Sequence, residues 1–131
     1  MSGQRSSRTA THALLAFIVI GAAACGEAEK KSTVPEAART EATQIFSTRC
    51  AACHGPQGRG DGAASASLSP KPANFTDGAW QSKVTDEHIE KIIQFGGSAV
   101  GKSPSMPGNP DLTGKADVVT GLREHIRSLK Q

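Results

Sequence analysis

The sequence predicts an all-α fold of three main helices joined by long loops. Apolar residues recur at helical spacing in three stretches, near residues 38–46, 89–93 and 118–129. The segments between them are punctuated by glycine and proline, with 14 Gly and 7 Pro in 131 residues. No alternating, strand-like period and no internal repeat is visible. The length allows one small domain plus extras.

Residues 1–24 read as a secretory signal rather than folded protein. Arg5 and Arg8 make a positive start, an apolar run follows from Ala13 to Ile20, and Gly21-Ala22-Ala23-Ala24 are all small. The run is shorter than the roughly 20 apolar residues of a usual bilayer span; an uncleaved N-terminal anchor is the alternative. Cys25 follows directly and resembles a lipobox cysteine, although Ala22 stands where a large aliphatic residue is usual. That resemblance implies lipid attachment at Cys25; otherwise Cys25 is an incidental thiol after ordinary cleavage. Either route exports the domain, to the periplasm in a bacterium, free or membrane-anchored. Residues 25–34 are polar and aperiodic and read as a tether, which leaves 35–131 for the folded domain.

The first helix is expected from about 35 to 51. Thr33 is a candidate cap with Glu36 three residues on, Pro35 suits a first turn, and Ala38, Ala42, Ile45 and Phe46 share a face. Residues 55–80 carry turn residues and no period, and read as a long loop. A second helix follows Thr85, with acids in its first turn, a stripe of Ile89, Ile92 and Ile93, and a Gly96-Gly97 stop. After another Gly/Pro/Ser loop, Asp111 or Thr113 opens a last helix of about 114–130. Val118, Val119, Leu122, Ile126 and Leu129 line one face of it, and Gly121 either lets a neighbouring helix approach closely, with Ala42 as the candidate contact, or is a tolerated flaw.

At the end of the first helix stand Cys50-Ala51-Ala52-Cys53-His54. Two thiols at this spacing followed at once by histidine form the attachment pattern of a covalent haem: each thiol adds to one vinyl group, and His54 is placed to ligate the iron. A thioredoxin-like dithiol would sit in a βαβ pattern, and structural zinc needs about four ligands. Neither context is visible. With 4% aromatic residues and no Tyr, so small a domain also gains from a large apolar cofactor at its centre.

Met106 is the candidate for the second axial position. Met1 is lost with the signal, and Met106 lies in a Gly/Pro-rich loop before Pro107 rather than on an apolar helix stripe. A soft thioether suits haem iron and raises its potential. His88, among acids in a first helical turn, reads as solvated; His125 lies near the apolar face of the last helix. An axial histidine needs a partner for its free ring N–H, expected among the carbonyls near Pro70 or Pro72. Without Arg5 and Arg8 the chain carries 13 basic against 12 acidic residues, interspersed, which argues against nucleic-acid binding.

These residues resemble the class I cytochrome c family over about 36–130. The resemblance rests on Ile45-Phe46 before Cys50-Ala51-Ala52-Cys53-His54-Gly55, then Gly58, Gly60 and Gly62, then Met106-Pro107, then Ile126-Arg127-Ser128-Leu129. It implies the all-α cytochrome c fold around one covalent haem c, with a cytochrome c domain at 35–131 and with Phe46, Pro70, Pro72 and Trp80 as haem-pocket candidates. Residues 68–77 look like the loop of bacterial members associated with respiratory chains, and Trp80 resembles a tryptophan that faces the haem propionates. His125 departs from the aromatic residue usual at its place. The implied function is one-electron transfer between redox protein partners, not enzymatic catalysis, either as a free carrier or as a subunit of a larger oxidoreductase complex. A haem protein with an exchangeable sixth ligand, acting in catalysis or sensing, is the alternative.

Overall fold

The first long helix, α1 (Glu36–Ile45), does not stop at the haem motif but widens into it. The computed structural model describes residues 33–131. The expected signal, Cys25 and nearly all of the tether lie outside the described residues. From α1 the chain passes through one π-helical turn, Phe46–Cys50, into the short α2 (Ala51–His54). The hydroxyls of Ser47 and Thr48 both donate to the Gln44 carbonyl, at 2.9 and 2.8 Å, and compete for the acceptor of the regular ladder. Ala51 N–H then reaches back to the Phe46 carbonyl, five residues away. The expected uniform helix over 35–51 is therefore corrected to three pieces.

The expected capping box is absent. Pro35 caps α1 without a side-chain bond, and the Glu36 carboxylate pairs with Arg39 instead of reaching back. The 55–80 stretch is more ordered than a loop. A 3-10 turn spans Ala63–Ser67, and α3 (Gly78–Lys83) starts where Asp77 accepts the Ala79 N–H at 2.8 Å. The helix α4 (Asp86–Phe95) forms as expected: the Thr85 hydroxyl accepts from His88 N–H, and Gly96 at φ +80° ends it. Two further 3-10 turns, Gly97–Val100 and Pro110–Leu112, precede α5 (Ala116–Ser128). That helix begins later than expected and is capped by Lys115 with no side-chain bond; Asp111 is engaged by Arg49. No strand forms among the described residues.

The core lies where α1 meets α5. A Cβ added at Gly121 would stand 3.1 Å from the Ala42 Cβ and 3.4 Å from the Ala38 carbonyl oxygen, so the two backbones approach as the sequence anticipates. Val119, Leu122 and Ile126 on α5 pack with Ala42, Ile45 and Phe46, and with Ile89 and Ile93 of α4. Arg123 joins α5 to α4 through Asp86 at 2.8 Å and Glu90 at 3.0 Å. His125 takes the aromatic's place: its ring lies 4.5 Å from that of Phe46, tilted 59°, with Nε2 buried and without a hydrogen-bond partner.

Gly121→Leu is expected to cost about 1–3 kcal/mol in denaturant unfolding, because an overpacked crossing must shift backbone; unchanged stability would show that the approach is not tight. Burial also holds the His125 imidazole below its ordinary value of 6.5. The folded state thus favours the neutral ring, so stability is full above about pH 6.5 and falls as protons bind the unfolded chain first. Unfolding of the haem-loaded protein at pH 7 and pH 5 should show a loss that His125→Phe reduces.

Candidate functional site

The wide turn after α1 buries Phe46, at 2% exposure, and carries the chain on so that Cys50, Cys53 and His54 follow on consecutive turns. Both thiols are free and partly exposed. Burial pushes the Cys50 thiol up, against the pull of the Arg49 guanidinium. Among the described residues, no group of three or more His, Cys, Asp or Glu gathers that could hold a metal ion.

His54 is 8% exposed and fixed on two sides. Its ring stacks on Phe75, with centroids 4.4 Å apart and planes 17° from parallel. Its Nδ1 lies 3.1 Å from the Ala73 carbonyl oxygen. Burial lowers the His54 pKa and the Ala73 bond only partly opposes this, which favours the neutral ring. A neutral imidazole that donates Nδ1–H to a carbonyl keeps its Nε2 lone pair for a metal. The donor set therefore fits a covalent haem: two thiols, then an imidazole with the required tautomer. The acceptor is Ala73, one residue beyond Pro72, so the carbonyl lies near Pro72 as expected, at a residue that the sequence does not single out. Both prolines lie in the loop leading to it, with Pro70 exposed and Pro72 partly buried.

Trp80 sits on α3 and packs edgewise on Phe75, with centroids 5.0 Å apart at 50°. Phe75 also meets Phe46 at 6.4 Å, so Phe75 links the His54 ring to two further aromatic rings. Phe75 falls inside the 68–77 stretch, and nothing in the sequence singles it out for this place.

Met106 lies partly buried in the loop after α4, and its main chain is docked on the end of that helix. Gly97 N–H donates to the Met106 carbonyl at 2.9 Å. Asn109 follows with two bonds to α4 carbonyls that the helix leaves open, N–H to Gln94 at 2.9 Å and Nδ2 to Ile93 at 2.7 Å. Gly96 and Gly108 face each other across this junction: a Cβ on Gly96 would stand 2.8 Å from the Met106 carbonyl oxygen, and one on Gly108 would stand 2.7 Å from that of Gln94. Arg49, beside Cys50, reaches the same loop at Asp111, 2.9 Å away, and holds its carboxyl below the usual carboxylate range. His88 is partly exposed in the first turn of α4.

An all-α shell closed over a thiol–thiol–histidine helix defines a covalent haem protein. A family model for cytochrome c matches residues 40–130, and the chain belongs to that family. It is a haem electron carrier, and its cofactor is haem c, covalently attached through the Cys50–His54 motif. Among solved structures it is similar to the KustC0563 c-type cytochrome, at 24% identity and a TM-score of 0.53, over 69% of this chain and 98% of that one. At that identity the likeness speaks for the fold alone. Comparison with curated proteins finds no match.

Proposed function

We propose that this cytochrome is a single-haem carrier with His54 and Met106 as axial ligands, passing electrons between redox protein partners outside the cytoplasm. The observation that carries this reading is the anchoring of the Met106 loop. A methionine whose carbonyl is bonded to Gly97, in a loop that Asn109 ties to Gln94 and Ile93, has its main chain held before any metal bond forms. Filling both axial positions with fixed side chains closes the iron to substrates and favours electron transfer over ligand chemistry. The haem iron supplies one-electron exchange, and the thioether stabilises its reduced state. The chain's own residues keep the geometry constant: Ala73 holds the imidazole, Phe75 and Phe46 exclude water beside it, and Asn109 steadies the methionine loop. Small structural change between redox states makes such transfer fast.

Export is supported by the signal-like residues 1–24 and by the family, whose members typically work in the periplasm. Cys25, directly after three alanines, is the proposed lipid attachment point, which would restrict the carrier to membrane partners or to a place within a larger redox complex. Trp80 and Phe46 are proposed to line the haem pocket.

The expected spectrum is low-spin, with a weak near-infrared sulfur-to-iron band. Met106→Ala should abolish that band, lower the reduction potential and admit carbon monoxide. A wild-type protein that lacks the band and binds carbon monoxide rapidly would favour an exchangeable site, suited to catalysis or sensing. Mass spectrometry of the native N-terminus should find an acylated Cys25; an unmodified terminus beyond Ala24 would remove the anchor.

A further inference from the structure

Gln81 is a buried polar side chain that none of the preceding chemistry uses. It lies on α3 with 7% of its surface exposed. Its Nε2 donates both protons, to the Phe75 carbonyl at 2.7 Å and to the Ile126 carbonyl at 2.9 Å. Its Oε1 accepts from Arg127 Nη1 at 2.9 Å. These partners fix the amide's orientation, since the reverse would face its oxygen to two carbonyls and its NH2 to a guanidinium. Arg127 is held in turn, donating to the Gln81 and Val84 carbonyls at 2.7 and 2.6 Å and to Asp86 at 2.8 Å.

The destination of this cluster is the segment behind His54. Phe75 is pinned at both main-chain groups, its N–H donating to the Gly58 carbonyl at 2.7 Å and its carbonyl accepting from Gln81. Its ring is stacked on the imidazole, and two residues upstream the Ala73 carbonyl accepts from His54 Nδ1. We propose that Gln81 is a positioning residue for His54, an amide locked by Arg127 that fixes residues 73–75 and thereby the strength of the bond to the axial imidazole. A well-aligned Nδ1–H···O bond makes the imidazole a stronger donor and favours oxidised iron. With the Phe75 carbonyl released, the 73–75 segment relaxes, that bond lengthens and the potential rises. The inference rests on His54 as an axial ligand.

The test uses the haem-loaded protein and two readouts that a merely structural amide would not move: exchange of the His54 Nδ1 proton, followed by paramagnetic NMR, and the reduction potential. Gln81→Met removes the donors without adding charge and should accelerate that exchange at least several-fold and shift the potential upward. Arg127→Lys loosens the lock on the amide but leaves its Nε2 donors to Phe75 and Ile126; it should move both readouts in the same direction as Gln81→Met, by less. If Gln81→Met fails to fold, Gln81→Glu keeps the partner of Arg127 while losing the donors, and its proton exchange is read instead. Lost stability in a glutamine variant with wild-type exchange would overturn the positioning role. A wild-type protein with no hyperfine-shifted His54 ring proton would instead overturn the axial assignment on which the role rests.

Discussion

The approach of α1 and α5 at Ala42 and Gly121 is the contact from which the rest of the molecule is hung. A glycine inside an exposed helix costs about 1 kcal/mol relative to alanine. Here the cost is offset because the missing side chain lets Ala42, fully buried, meet the opposite backbone and lets Val119, Leu122 and Ile126 close over Phe46. The haem motif is the continuation of α1, so the angle and depth of this crossing fix where Cys50 and Cys53 begin. The π turn adds a second setting: by inserting a wider turn it sends Phe46 inward and alters the direction in which the motif leaves the crossing.

From that frame the site is assembled by main-chain groups more than by side chains. His54 is oriented by the carbonyl of Ala73, Met106 is docked by the N–H of Gly97, and Phe75 is held by its own N–H and carbonyl. Side chains act behind these groups, with Gln81, Asn109 and the Arg127–Asp86 pair each fixing a piece of backbone. In a small domain with few aromatic residues, this gives loops the rigidity that a larger core would supply elsewhere.

What could be read from the sequence follows from the same division. The Cys50–His54 pattern, the Thr85 cap, the Gly96 stop and the Ala42–Gly121 meeting are written in side-chain identity, and each stands where the residues placed it. The helix start at Thr33 and Glu36 was equally visible as a pattern, but Arg39, one turn on, offered the glutamate a partner of opposite charge. Ala73 was not legible because every residue carries a carbonyl, and only the path of the chain decides which one arrives at Nδ1. The six-residue α3 has no apolar period, and its place is fixed by the tertiary bonds of Gln81. The π turn depends on competition between hydroxyls for the Gln44 carbonyl, which composition does not reveal. His125 was visible as a departure, and the structure sets its ring tilted against that of Phe46.

The bond between His54 and Ala73 spans 19 residues of chain, whereas the two thiols and the histidine occupy five consecutive positions. Covalent capture of the cofactor is thus a local event, open to an extended chain, while the geometry that tunes it is available only after distant segments have arrived. Maturation and tuning are separated along the polypeptide. The residues that would hold the porphyrin form a short linear segment, whereas the carbonyl that orients its histidine comes from a loop that a change could alter without touching that segment.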